Sequence, residues 1–127
     1  MLGSNDLKQT FHLTADMIAA NAGVLVDVIK EVTAEKQGFV PKIILVSPPE
    51  IGPGIRYSPF YGAFLESSID ESRQFSRYYK EVADAKGCIF FDAASHVTAS
   101  QTDSLHLTPE AHKVLADELY RVVKSLS

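Results

Sequence analysis

The chain has 127 residues, a net charge of −4 and a hydrophobic fraction of 46%, values that indicate one globular domain rather than two. Its lysines and arginines are scattered, which excludes the basic surface of a nucleic-acid binder. No apolar run is long enough to span a membrane, and no signal peptide is recognisable. We therefore expect a cytoplasmic protein with no nucleic-acid partner and no membrane span.

The chain begins with an apparent strand end, because the apolar Met1 and Leu2 directly precede the polar residues Gly3 to Asp6. This pattern predicts that Met1 is an internal methionine of a longer domain. A helix is predicted from Thr14 to Lys36, ending at Gly38. Its apolar face has helical spacing and is expected to be buried; it consists of Ile18, Ala22, Leu25, Ile29 and Val32.

Two later runs predict strands buried on both faces, as parallel sheets require. They are Ile43 to Val46 and the segment CIFFDA, where Cys88, the only cysteine, is expected to be buried. Between them lie an aromatic loop from Glu50 to Phe64 and a helix predicted over residues 67–86, with an apolar face of Ile69, Phe75, Tyr79, Val82 and Ala85.

The last predicted helix begins at Pro109, with Thr108 as its N-cap. Its expected core stripe is Ala111, Leu115, Leu119, Val122 and Leu126. Strands and helices therefore alternate, which predicts an α/β fold with a parallel sheet. Such sheets usually have about five strands, so we predict that this chain forms only part of such a sheet. The expected remainder is the N-terminal strands.

Polar residues follow the predicted strand ends, where α/β proteins bind ligands. Asp103 and His106 lie three residues apart before the last helix, so the carboxylate can orient the imidazole as a general base. The same pair also suits a simple solvated turn. Asn5 can donate to a developing oxyanion or can serve as a turn residue.

A zinc site is a competing interpretation of this region, formed by His96, Asp103, His106 and His112. The spacing of these residues fits no compact zinc motif. Ser4 and Ser47 are the serines nearest to predicted strand ends, but nothing in the sequence favours either as a nucleophile.

Two short motifs resemble blocks of one enzyme family. GSND, residues 3–6, resembles the Gly-x-Asn-Asp block of the SGNH hydrolases, the GDSL-type lipases and esterases, and DSLH, residues 103–106, resembles their Asp-x-x-His block. The stretches KIILVSPP and FFDAASHV extend this similarity, which is greatest to the bacterial arylesterase and acyltransferase (perhydrolase) branch. The resemblance covers residues 1–127 as one partial domain, the C-terminal part of the family fold.

This resemblance implies a flavodoxin-like, three-layer α/β/α fold and a serine acyl-enzyme mechanism acting on a small ester or acyl substrate. It implies that His106 is the general base, Asp103 its orienting partner and Asn5 an oxyanion donor. We expect no cofactor and no metal.

The family's nucleophilic serine, in its Gly-Asp-Ser block, has no counterpart in this sequence. The chain alone is therefore expected to be inactive and to need a complementing N-terminal segment. The alternative is a non-catalytic remnant that folds by self-association, as a homo-oligomer, or with a complementing chain.

Overall fold

A computed structural model describes all residues from Met1 to Ser127. The helices are α1 (Ala15–Gln37), α2 (Glu66–Arg73), α3 (Phe75–Lys86) and α4 (Pro109–Ser125), and the strands are β1 (Ile44–Ser47) and β2 (Ile89–Asp92). Short 3-10 turns lie at Ser4–Leu7, Gln9–Phe11, Ile55–Tyr57 and Ala93–Ser95. The predicted α/β class is confirmed.

The two strands pair in parallel, with Ser47 opposite Asp92 at their carboxyl ends. Because side chains alternate along a strand, each face of the sheet joins a different core. Leu45 and Phe90 pack against the cluster formed largely by α1 and α3. Val46 and Phe91 pack with Leu115 of α4. The sheet is therefore covered by helices on both faces, which gives three layers.

Local sequence explains where several helices begin and end. Gly38 and Gly87 follow α1 and α3 with φ values of 75° and 64°, the left-handed conformation that glycine adopts without steric cost. At the start of α4, the Thr108 hydroxyl accepts a hydrogen bond from the Ala111 N–H, with Pro109 in the first turn. These ends agree with the predicted boundaries to within a few residues.

The single helix predicted over residues 67–86 is wrong, because α2 and α3 are separated at Gln74. The Ser72 hydroxyl accepts a hydrogen bond from the Ile51 N–H and donates one to the Ile69 carbonyl. A serine that bonds to backbone in this way competes with regular helix geometry. Ser72 thus links the end of α2 to a distant loop, a contact that helical periodicity does not reveal.

The predicted burial of α1 is correct only for its first half. Ile18 is buried, whereas Leu25, Ile29 and Val32 are exposed. In α3, Phe75 and Tyr79 are buried, but Ala85 is exposed. The α4 stripe does face the sheet, although only Leu115 is fully buried. Helical spacing identified apolar faces correctly but did not show which parts of them have a neighbour.

Two further expectations at strand positions need correction. Met1 and Leu2 are exposed and belong to no strand, since neither pairs with β1 or β2. Cys88 lies just before β2 and is half-buried rather than buried. Burial nevertheless raises the pKa of its thiol.

Candidate active site

The carboxyl ends of the strands are joined by a network centred on Asp92. Its carboxylate accepts hydrogen bonds from the hydroxyls of Ser47, Ser76 and Ser95, the first at 2.9 Å, and from the Ala94 N–H. Burial acts to raise the pKa of Asp92, but these hydrogen bonds outweigh it and lower the pKa. Ser47 is 0% exposed, so its hydroxyl has a structural role here.

Asp103 and His106 contact each other in the loop before α4. The His106 Nδ1 atom lies 2.7 Å from Asp103 Oδ2, and Asp103 Oδ1 accepts hydrogen bonds from the backbone N–H groups of Leu105 and His106. The imidazole is 64% exposed, whereas the Asp103 side chain is 19% exposed. An Nδ1–H donated to the carboxylate leaves the lone pair of Nε2 free and accessible.

The environment of Asp103 keeps it ionised. Partial burial acts to raise its pKa, but the hydrogen bonds from the Leu105 N–H, the His106 ring and the His106 N–H, with the charge of His106, lower the pKa overall. An ionised carboxylate can fix the tautomer of the ring and stabilise the imidazolium form.

The aromatic loop predicted between Glu50 and Phe64 lies beside this pair. The Phe60 ring meets the His106 ring edge-on, with centroids 5.3 Å apart. The sequence predicted an aromatic loop here but did not single out Phe60. Only the fold brings these residues together, since they are far apart in the chain.

Asn5 lies in the 3-10 turn Ser4–Leu7 and is exposed, with no side-chain hydrogen bond. Gly3 precedes this turn with a φ of 135° and is packed against Tyr79, Ile18 and Pro48, leaving no room for a side chain. The Tyr79 hydroxyl donates to the Leu2 carbonyl at 2.6 Å. The backbone before Asn5 is thus held in place, although its amide has no partner.

Asn5 is not in hydrogen-bond contact with Asp103 or His106, but both segments are anchored to one core. Leu7 is a member of the cluster that also contains Ile51 and Ile55, and Leu105 packs against the same cluster. The Gly3–Leu7 block and the turn at residues 103–106 therefore pack on the same hydrophobic core.

Asp6 and His96 make contacts outside the Asp103–His106 pair. The Asp6 carboxylate accepts no hydrogen bond from nearby backbone. Burial first, and then the charge of Asp6, raise the pKa of Tyr79. His96 stacks on Phe91 with ring centroids 5.0 Å apart. Nowhere do three histidine, cysteine, aspartate or glutamate side chains gather as a metal site, so the four residues of the zinc interpretation are not brought together.

No helix combines the length and the apolar character that crossing a membrane would require.

The sequence matches the model of the GDSL-like lipase/acylhydrolase family over residues 1–119, and the chain belongs to that family. Its fold is similar to a carbohydrate acetylesterase from Sinorhizobium meliloti, with TM-score 0.90 and 29% identity. It is also similar to an aryl esterase from M. smegmatis (0.89, 29%) and to a putative arylesterase from Agrobacterium tumefaciens (0.84, 28%).

All of this chain is covered in each of these three comparisons, but it spans only 59% of each matched chain. No curated protein sequence gives a significant match.

Proposed function

We propose that this chain provides the acid–base part of a carboxylic-ester hydrolase or acyltransferase that works through a serine acyl-enzyme. The proposal rests on the 2.7 Å contact between His106 Nδ1 and Asp103 Oδ2, combined with an imidazole that remains exposed. This is the arrangement in which a carboxylate orients a histidine base toward a nucleophile.

In this mechanism, His106 Nε2 takes the proton of a serine hydroxyl as its oxygen attacks the ester carbonyl. The same nitrogen returns the proton to the departing alcohol, leaving the acyl group on the serine. Water, another alcohol or a peroxide then loses a proton to His106 as its oxygen attacks the acyl-enzyme. The ester bond to serine breaks, and His106 returns this proton to the serine oxygen, which restores the hydroxyl. Hydrolysis and acyl transfer differ only in this acceptor.

Asn5 would donate its amide N–H to the negatively charged carbonyl oxygen of the intermediate. One donor of this kind lowers a barrier by about 3–4 kcal/mol. Asn5 suits the role because it is exposed and its side chain has no competing hydrogen bond, while the backbone before it is held by Tyr79.

We further propose that the nucleophilic serine comes from a segment outside residues 1–127 and that residues 1–127 alone are inactive. Ser47 is fully buried and donates to Asp92, and no serine or threonine hydroxyl hydrogen bonds to the His106 ring. A nucleophile needs that contact to lose its proton. The 59% coverage of the related esterases is consistent with a contribution from another segment.

Small acyl esters are the proposed substrates, by similarity to the carbohydrate acetylesterase and the aryl esterase. Phe60 beside His106, with the exposed Tyr57 and Tyr61 of the same loop, would form an apolar wall for the acyl or aryl group.

A chimera tests this function. It would join to Met1 the part of the M. smegmatis aryl esterase that precedes its match to this chain. Hydrolysis of an aryl acetate should be measurable for the chimera and fall about a thousandfold or more in its His106→Ala variant. His112→Ala, at an exposed α4 position, is the control and should keep the parent rate. Unchanged hydrolysis in His106→Ala would contradict the proposal.

Self-association is a second candidate, favoured by the unpartnered surface of α1. Its exposed apolar side chains form a continuous face, which we term the outer face of α1: Met17, Val24, Leu25, Val28, Ile29 and Val32. A helix that is apolar on nearly all sides is normally buried. The isolated chain should therefore sediment as a dimer or larger species at micromolar concentration, and a cooperatively folded monomer would count against this candidate.

A further inference from the structure

The turn that carries Asp103 and His106 contains a backbone conformation that is costly for its residue. Ser104 has a φ of 60°, one of two non-glycine residues with positive φ. Such a conformation is unfavourable for a residue with a Cβ atom and persists only where surrounding contacts enforce it. The contacts of Ser104 therefore determine whether Asp103 and His106 keep their relative positions.

Both backbone polar groups of Ser104 are held by hydrogen bonds. The Ser104 N–H donates to the Ser100 carbonyl, and the Ser104 carbonyl accepts from the Gly52 N–H, each at 2.7 Å. Ser104 is only 4% exposed, although His106, two residues later, is the exposed end of the turn. The turn is thus fixed on the side facing the aromatic loop and open on the side facing solvent.

Two glycines of that loop make this close approach possible. A Cβ on Gly52 would lie 2.9 Å from Ser104 Cβ and 3.0 Å from its Cα, too close for either atom. A Cβ on Gly54 would lie 2.8 Å from Ser104 Oγ, which can move by rotation of the side chain. Neither glycine has a positive φ, so alanine is compatible with the backbone at both positions.

We propose that Gly52 and Gly54 are positioning residues for the Asp103–His106 pair, because the absence of their side chains lets Ser104 dock against the loop in its left-handed conformation. This inference rests on the proposed role of His106 as a base. A side chain at Gly52 pushes on the backbone of the turn, whereas one at Gly54 pushes only on a hydroxyl. The effect of Gly52→Ala is therefore larger than that of Gly54→Ala.

The test reads the hydrogen bond directly, in the full chain labelled with ¹⁵N. At mildly alkaline pH, the ¹⁵N shifts of the His106 ring report which nitrogen carries the proton. The parent chain should show the proton on Nδ1, and Asp103→Ala supplies the spectrum without the carboxylate. The His106 ring spectrum of Gly52→Ala should shift most of the way from the parent spectrum toward that of Asp103→Ala. The spectrum of Gly54→Ala should shift by a smaller amount.

Gly23→Ala is the matched control. It introduces the same methyl group at a similarly tight position, 3.0 Å from Val82 Cγ1, but between α1 and α3. It should leave the His106 spectrum unchanged. In the Gly54→Ala background, Ser104→Ala removes the oxygen that the new methyl group meets and should return the ring toward the parent spectrum.

A folded Gly52→Ala chain with the parent tautomer would overturn the proposal. If Gly52→Ala does not fold, the decision rests on Gly54→Ala and on its combination with Ser104→Ala. A parent-like spectrum for Gly54→Ala overturns the proposal. So does a Gly54→Ala, Ser104→Ala double variant whose spectrum does not return toward the parent. Because the measurement requires no ester hydrolysis, it separates this inference from the proposed function. An intact Nδ1–Asp103 bond in an inactive chimera would count against the function alone.

Discussion

The turn at residues 103–106 and the Gly3–Leu7 block pack on the same core. Only in the turn do the candidate site residues have side-chain hydrogen bonds within this chain. In the turn, Asp103 accepts three hydrogen bonds, and Ser104 is held through both its N–H and its carbonyl. In the block, the backbone is anchored through Leu2 and Leu7, but the Asn5 side chain has no hydrogen bond. The proposed base is therefore oriented by contacts within this chain, whereas the proposed oxyanion donor is held only through its backbone.

The same asymmetry extends to the surfaces beside the two regions. The turn is backed by the aromatic loop, while the outer face of α1 has no neighbouring element. A cavity of about 520 Å³ lies between that helix and the N-terminal block, lined by Leu2, Asn5 and Leu25 among others. The exposed apolar surface thus lies on the side of the proposed site that lacks a partner.

Weakening the hydrophobic core that both regions share should produce the largest effect on stability. Phe75 is fully buried, and its ring packs edge-on against Tyr79 with centroids 5.5 Å apart. Phe75→Ala is expected to lower the free energy of unfolding by about 3–5 kcal/mol through lost burial and a cavity, measured by urea denaturation. Phe39→Ala, at an exposed position, should change it by less than about 0.5 kcal/mol. Equal effects at the two positions would contradict this account of the core.

A charge on the outer face of α1 should disrupt self-association. Val28→Asp places a carboxylate in that face and should raise the dimer dissociation constant about tenfold or more, equivalent to about 1.4 kcal/mol. Analytical ultracentrifugation measures this change. His112→Asp introduces the same charge at an exposed position on α4 and should leave the constant unchanged. A similar response to both substitutions would exclude the outer face as the interface.

Loss of the Tyr79 hydroxyl should loosen the N-terminal block alone. Tyr79→Phe leaves the Leu2 carbonyl without its donor and is expected to cost about 1 kcal/mol of unfolding free energy. Hydrogen exchange of the Gly3–Leu7 amides should accelerate, while that of Ser104 does not. Tyr57→Phe, at a residue that is 88% exposed, serves as the control. Faster exchange at Ser104 would show that the two regions are not independent.

The smallest expected effect is a change in pH dependence caused by Asp103. Its pKa is lowered in the folded state, so its contribution to stability is present above its unfolded value of about 3.9 and is lost as pH falls through the folded pKa. Asp103→Asn should therefore show a smaller decrease of the urea midpoint between about pH 5 and pH 2.5 than the parent chain. Parallel curves for the two proteins would contradict the lowered pKa.

Local sequence signals predicted the order of the elements and the parallel pairing because each depends on periodicity and end signals within a short segment. Ile18 was predicted to be buried and is, whereas Leu25, Ile29 and Val32 are exposed. Apolar spacing shows which side of a helix could be buried, but burial also requires a neighbour. The sequence of a helix carries no information about that neighbour.

The candidate site divides in a similar way. The contact between Asp103 and His106 follows from a spacing of three residues in one turn and could be predicted. The docking of Ser104 against Gly52 joins residues about fifty positions apart, and its positive φ has no local signal because serine rarely adopts it. The roles of Asp103, His106 and Asn5 in chemistry stay predictions.

The most direct test asks which segment carries the nucleophile. The isolated chain and the chimera would each be treated with a fluorophosphonate probe, and the labelled residue identified by mass spectrometry. We predict no stoichiometric labelling of the isolated chain, and labelling of the chimera at a serine preceding Met1 that depends on His106. Stoichiometric labelling of a serine in the isolated chain, abolished by His106→Ala, would contradict the central claim.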